Sequence, residues 1–286
     1  MILKKLNNVY IKDLDSLSFK LKNIKKDNIS NLHIISDFDK TLNKLNLKSG
    51  KFKSVISIIR DGNYLENNYS IKANNLYNYY HAFEIDEDIS FEDKFNKMEE
   101  WWTKHIKLLS ESKMHKDVIV DILSKDTIQL REGVSDFLNL LYTNDISLLI
   151  FSSGLGDIIT GFLNNKKLLF SNTHVVSNFF DWDENGFCRP MYKDNKVIHL
   201  LNKNETVLKK YNYFEKIKFK KNIILLGDSL EDLNMSKGFN YNNLISIGFL
   251  NENINKRLQS YINNFDIVIV NDGSFEQVLE VINFII

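Results

Sequence analysis

Three short apolar runs in this 286-residue chain each break off into polar residues, and that repeated ending constrains the fold more than any other feature. Residues 32–35 run into Ser36-Asp37-Phe38-Asp39-Lys40-Thr41-Leu42. Residues 146–151 end in Ser152-Ser153-Gly154, and residues 223–227 end in Asp228-Ser229-Leu230-Glu231-Asp232. Short runs rich in β-branched residues and bounded by polar clusters read as buried strands. Further strands read at 174–177, 244–248 and 266–270, with helices at 132–142 and 157–163 between them. That alternation predicts a mostly parallel α/β sheet covered on both faces. In such a sheet the carboxyl ends open on one edge, where ligands bind. The three polar endings should therefore meet.

Composition excludes several classes. Hydrophobic residues make up 43%, enough for a sizeable core, and 37 basic residues balance 37 acidic ones. Zero net charge gives no reason to expect nucleic acid or an anionic membrane as partner. No apolar run approaches the roughly 20 residues of a membrane span, and residues 1–5 do not read as a signal peptide. The single Cys188 excludes an internal disulfide, so a cytoplasmic setting is expected, and the chain is read as a monomer.

Residues 1–31 carry Leu and Ile at helical spacing and read as one or two helices. From 45 to 127 the character changes. A polar, Tyr-rich stretch at 63–78 precedes a helix at 90–109, with Ser90 and Asp93 placed to cap it, and a second helical run at 114–123. Residues 45–127 read as a helical cap inserted into an α/β core formed by 1–44 and 128–286.

The strand ends carry the chemistry. On an extended backbone Asp37 and Asp39 project to the same side. Two like charges so close need a divalent cation or a shared proton. Asp228 and Asp232, four apart, face together across a helical turn, which prefers Asp232 to Glu231 as a supporting group. Ser152 also has a simpler reading as the cap of the helix near Gly156. Lys203 is one of several nearby lysines. His33 and His174, in strands, are read as hydrogen-bonded rather than ligating, and Cys188 as a packing thiol. No His/Cys spacing indicates zinc.

These endings, with Lys203 before the third, match in order the four motifs of the haloacid dehalogenase-like phosphatases, which the chain resembles. More closely it resembles the pyrimidine 5′-nucleotidase family, the cytosolic type III 5′-nucleotidases. The stretches that carry this are Ser36-Asp37-Phe38-Asp39-Lys40-Thr41-Leu42, Phe83-Glu84-Ile85-Asp86, Met98-Glu99-Glu100-Trp101-Trp102 and Ile150-Phe151-Ser152-Ser153-Gly154-Leu155-Gly156-Asp157. Val175-Val176-Ser177-Asn178-Phe179, Ile198-His199 with Asn202-Lys203, Leu225-Leu226-Gly227-Asp228-Ser229 and Ile247-Gly248-Phe249-Leu250-Asn251 continue it.

The resemblance implies a Rossmann-like core of haloacid dehalogenase type and Mg²⁺-dependent hydrolysis of nucleoside 5′-monophosphates. It makes Asp37 the nucleophile and Asp39 the acid and base. Asp37, the main-chain carbonyl of Asp39 and Asp228 would hold the metal. Thr41, Ser152, Ser153, Gly154 and Lys203 would bind phosphate, with Asp232 in support. From the cap, Glu84 would contact the nucleoside, and Trp102 would face the base while Trp101 packs within the cap. Ser153 stands where the family has alanine, and His81-Ala82 where tyrosine or proline is usual. The alternatives are a 7-methylguanosine monophosphate nucleotidase, a phosphatase or phosphotransferase for another small phosphomonoester, and a binding protein without turnover. The intact Asp37, Asp39, Lys203 and Asp228 argue against the last.

Overall fold

The computed structural model describes residues 7–44, 54–66, 68–86, 88–125, 127–192 and 197–286. Strand β1 (Val9–Ile11) and helix α1 (Leu14–Lys26) lead into β2 (Leu32–Ser36). The helices α2 (Val55–Asp61), α3 (Tyr69–Ile85), α4 (Phe91–Glu111) and α5 (Lys116–Ser124) follow. The alternating part then runs α6 (Val134–Thr143), β3 (Ser147–Leu155), α7 (Gly156–Asn165) and β4 (Thr173–Asn178). A hairpin, β5 (Phe180–Trp182) with β6 (Cys188–Tyr192), comes next. The chain ends with α8 (Glu205–Leu208), α9 (Asn212–Ile217), β7 (Asn222–Gly227), β8 (Asn243–Leu250), α10 (Ile254–Asn264), β9 (Ile267–Val270) and α11 (Glu276–Ile285).

Among the described residues the main sheet has the order β1-β9-β8-β7-β2-β3-β4. Every pairing is parallel except β1 with β9. Alternate residues of the central strands feed two apolar clusters, as the period of two requires. Ile34, Leu148, Ile150, Ile224 and Leu226 enter one, and Ile35, Leu149, Phe151, Ile223 and Leu225 the other. Both faces are therefore covered, which is why these strands read as unbroken apolar runs.

The N-terminal stretch departs from the helical expectation. It supplies the antiparallel edge strand β1, too short to show a period, and one helix, capped where Asp13 accepts from the amides of Asp15 and Ser16. The Ser90 cap forms as its spacing predicts, accepting from Asp93 N at 3.1 Å. His33 is a correction. It is fully buried and neither ring nitrogen has a hydrogen-bond partner among the described residues, where packing against Phe239 at 5.5 Å holds it instead. His174 stacks on Tyr213 at 4.5 Å.

The described residues of 54–125 contain helices and no named strand. The segments leading out of and back into the α/β part pair with each other. Lys44 N donates to Gln129 O at 2.8 Å and Arg131 N to Leu42 O at 2.9 Å. The hairpin reaches across to the helical block, with Cys188 N donating to Met114 O at 2.8 Å and Ser110 Oγ to Cys188 O at 3.0 Å. No helix among the described residues is long and apolar enough to cross a membrane.

Candidate active site

β2 and β7 lie side by side, so their carboxyl ends bring Asp37 and Asp228 together. Asp37 N donates to Leu226 O at 2.9 Å, which extends the pairing to the first carboxylate. A glycine closes β7 for a steric reason. A Cβ on Gly227 would stand 2.5 Å from the Asp232 Cβ, so only glycine lets the next turn fold back. That turn, Leu230–Ser236, is a 3₁₀ helix with a capping box. Ser229 Oγ accepts from Asp232 N, while Asp232 Oδ2 accepts from the amides of Asp228 and Ser229 at 3.1 Å. Asp232 thus reaches the site through the box and not across a face of an α-helix.

Lys203 arrives from the loop before α8 and lies between two carboxylates. Its Nζ is 2.9 Å from Asp37 Oδ1 and 2.5 Å from Asp232 Oδ1. Its side chain is 2% exposed, so this is a dry ion-pair triad. Burial by itself would lower the ammonium pKa, but Asp232 and Asp37 outweigh it and raise it. The pairing separates Lys203 from the other nearby lysines.

Ligand oxygens of Asp37, Asp228 and Asp232 lie within 4.8 Å of one another. The oxygens of Asp232 are already committed to Lys203 and to two amides. Asp37, with only Oδ1 engaged by Lys203, and Asp228 are therefore the side chains best placed to ligate, and an all-oxygen set fits a hard divalent cation. Burial pushes the Asp37 carboxyl well above the usual range against the pull of Lys203. Burial and the neighbouring Asp232 raise Asp228 to about 7. Such shifts are the cost of gathering carboxylates without a counter-ion.

Asp39 stands apart from this group. Its Oδ1 accepts from Asn43 Nδ2 at 3.0 Å, and Val55 N at the start of α2 lies 3.3 Å from both of its oxygens. Burial raises it to about 6 despite these bonds. Thr41 is fully buried and its Oγ1 has no partner among the described residues.

The end of β3 faces Asp39. A Cβ on Gly154 would lie 3.2 Å from Ser152 Oγ and 3.4 Å from Asp39 Oδ2, so glycine keeps this gap open. Ser152 Oγ accepts from Gly154 N at 3.0 Å, while α7 has no side-chain cap. Ser152 therefore shapes the irregular end of β3, where the register with β4 shifts, and does not cap the helix. Asn178 Nδ2 donates to the Ser153 and Ile198 carbonyls at 2.8 and 2.7 Å, tying this end of β3 to the loop that leads to Lys203.

Glu84 and Trp102 lie on α3 and α4. Among the described residues neither has a hydrogen bond or ring contact with the strand-end groups. Glu84 Oε2 lies 2.7 Å from His81 Nδ1. Trp101 stacks on Tyr80 at 5.9 Å within a cluster that includes Met98 and Leu201, so it packs between α3, α4 and the Lys203 loop. Trp102 is outside that cluster and lies over His105 at 6.3 Å.

The carboxyls of Asp37, Asp39 and Asp228, the Ser152–Gly154 end of β3 and the buried Lys203 stand at one sheet edge, and comparison with known proteins decides between families that share such an edge. A profile of the pyrimidine 5′-nucleotidase (UMPH-1) family matches residues 40–286. The chain belongs to the pyrimidine 5′-nucleotidase family. It is a hydrolase, a 5′-nucleotidase, with the α/β fold of the haloacid dehalogenase-like phosphatases. Among the family's curated members, 7-methylguanosine phosphate-specific 5′-nucleotidase A of Xenopus laevis is 34% identical over 278 residues, covering 97% of this chain and 95% of that one. The crystal structure of cytosolic 5′-nucleotidase IIIB bound to cytidine superposes with a TM-score of 0.87 at 30% identity. It covers 98% of this chain and 94% of that one. A probable phosphoserine phosphatase of Vibrio cholerae, 9% identical with a TM-score of 0.54, shares the fold alone.

Sequence reasoning missed several residues that shape this 5′-nucleotidase site. Asn43 gains its role locally, from the turn that brings it to Lys40 N and the Asp39 carboxylate, while Asn178 and Arg131 are ordinary polar residues in sequence and gain their roles from partners far along the chain. Tyr261 is another, donating to Asp228 O at 2.6 Å. For Arg131 a signal existed. In this lysine-rich chain only Arg60, Arg131, Arg189 and Arg257 are arginines, and a buried fork that bonds several carbonyls is a task lysine cannot do.

Proposed function

We propose that the strand-end site hydrolyses nucleoside 5′-monophosphates through a phosphorylated Asp37. The observation that carries this is the buried Lys203 held between Asp37 and Asp232, with Asp228 beside them. A carboxylate approaching a phosphate dianion meets a repulsion of about 4 kcal/mol per charge pair at 4 Å and an effective dielectric of 20. Asp37 and Asp228, with the main-chain carbonyl of Asp39, would hold Mg²⁺, which would supply charge neutralisation there.

An Asp37 oxygen attacks phosphorus, the bond to the ribose O5′ breaks, and its electron pair leaves on O5′. Asp39 gives that oxygen a proton. It then takes one from the water that attacks phosphorus and returns Asp37 to a carboxylate. Burial pushes the Asp39 carboxyl up to about 6, toward the range in which it can both give and take a proton near neutral pH. Lys203 and the amides of the Ser152–Gly154 end of β3 bind the phosphate oxygens.

The cytidine-bound relative supports a pyrimidine nucleotide as substrate. A second reading, 7-methylguanosine monophosphate, is supported by the 7-methylguanosine-specific relatives. The anionic Glu84 and the broad face of Trp102 suit a cationic base. The cytosolic naming of the superposed relative supports a cytoplasmic setting.

A turnover screen with Mg²⁺ across CMP, UMP, 7-methyl-GMP and sugar phosphates tests the substrate class. Nucleotides should be preferred, and equal rates on sugar phosphates would reject it. Asp37→Asn should remove turnover from a folded protein, and retention of more than about a hundredth of the rate would exclude the covalent route, given that acid–base help alone spans about 10²–10⁴-fold.

A further inference from the structure

Arg131 is a buried cation whose bonds converge on the loop that carries Asp39. Its residue exposure is 1%. Nε donates to Thr41 O at 3.0 Å, Nη2 to Lys40 O at 2.6 Å and Nη1 to Gly273 O at 3.0 Å. Asp272 pairs with Nη1 at 2.9 Å, and the guanidinium lies 4.6 Å from the Phe249 ring centroid. Asn251 Nδ2 donates to the same Lys40 carbonyl at 3.0 Å.

That carbonyl belongs to a strained residue. Lys40 has φ +61°, a left-handed conformation that costs a side-chain-bearing residue about 1–2 kcal/mol. Both of its peptide groups are held from outside. Asn43 Oδ1 accepts from Lys40 N at 2.6 Å, while Arg131 and Asn251 hold its C=O. The same Asn43 donates to the Asp39 carboxylate through Nδ2. The backbone turn and the carboxyl orientation are therefore one unit, and Arg131 is its anchor. Arg131 also opens the segment returning from the helical block, since its N–H bonds Leu42 O.

We propose that Arg131 is a positioning residue for the carboxyl of Asp39 in leaving-group protonation, acting through the Lys40 turn and Asn43. The inference rests on the reading of Asp39 as proton donor. Losing the clamp lets the turn relax and moves the carboxyl off the line to O5′. A displacement of about 1 Å is worth up to about 100-fold in rate.

The test compares CMP with p-nitrophenyl phosphate, using the full chain with Mg²⁺. An alkoxide needs the proton and p-nitrophenolate leaves without it. Arg131→Met should lower kcat for CMP about 10- to 100-fold with KM little changed, and should lower turnover of p-nitrophenyl phosphate far less. Arg131→Lys should recover part of the CMP rate by restoring one donor. Asn251→Leu, at a partly exposed position, should give the same CMP-selective fall on a smaller scale, about 2- to 12-fold for one hydrogen bond. It decides the matter if Arg131→Met does not fold. Losses equal on both substrates in the Asn251 and Arg131 variants, with Asp39→Asn inactive on CMP, would overturn the inference alone. Asp39→Asn with CMP turnover intact would overturn the acid role and the inference with it.

Discussion

At the residue scale the site depends on a few side chains that are costly to bury. Lys203 is the cation between two buried carboxylates, and removing one partner of such a triad leaves uncompensated charge. Lys203→Met should lose turnover and about 3–5 kcal/mol of stability in urea unfolding, with part of that stability regained in the double variant with Asp232→Leu. Unchanged stability would mean that water already screens the triad. Trp102 belongs to a different kind of contact, a face rather than a charge. Stacking a base on an aromatic ring is worth roughly 1–3 kcal/mol, so Trp102→Ala should raise KM for the best nucleotide about 5- to 150-fold. p-Nitrophenyl phosphate, without a base to place, should change little. Losses shared by all substrates would assign Trp102 to packing within α4, against His105 one turn on.

At the element scale β2 shows how a strand can carry both a site and a liability. It presents Asp37 at its end and buries His33 near its start. Burial, aided by Lys220, lowers His33 from 6.5 to about 3. Protonation therefore favours the unfolded chain. The stability tied to a neutral His33 is complete above pH 6.5 and is lost progressively as pH falls toward 3. His33→Leu should gain on wild type by about 1.4 kcal/mol per pH unit below about pH 6, measured by denaturant titration at stepped pH. A constant difference between the two proteins would show that His33 is already protonated in the fold. The elements themselves were largely legible, because β2, β3 and β7 are apolar runs buried on both faces and α4 announces its start with Ser90 and Asp93. β1 was not legible. With 3 residues it has no period, and only the exposed edge of β9 makes it a strand.

At the scale of the whole molecule the fold gathers buried carboxylates whose mutual repulsion a bound cation would relieve. Asp228 is raised from 3.8 to about 7, so its carboxyl favours the folded state below pH 3.8. That contribution is lost as pH rises through 7, leaving a penalty at pH 8. Asp228→Asn should stabilise the metal-free protein at pH 8 by on the order of 2 kcal/mol, less than the shift implies because Asp228 is partly exposed. Mg²⁺ should raise the Tm of the wild type and not that of the variant, and EDTA should stop turnover until Mg²⁺ is restored. A Tm of the wild type that ignores Mg²⁺ would remove Asp228 from the ligand set.

The sequence by itself determined the sheet, the strand-end positions of Asp37, Ser152 and Asp228, and the helices among the described residues of 54–125. Each of these follows from local periodicity and from the rule that parallel strands share one carboxyl edge. Tertiary structure supplied the contact that the motif order only implied for Lys203, which reaches Asp37 across 166 residues of chain. It also set Asp232 by a capping box, left Trp101 packed and Trp102 outside the cluster, and gave Arg131 the Lys40 turn. Hydrogen-bond partners and desolvation depend on distances through space, and nothing in the spacing of residues along a chain encodes those until the sheet and the helical block have come together.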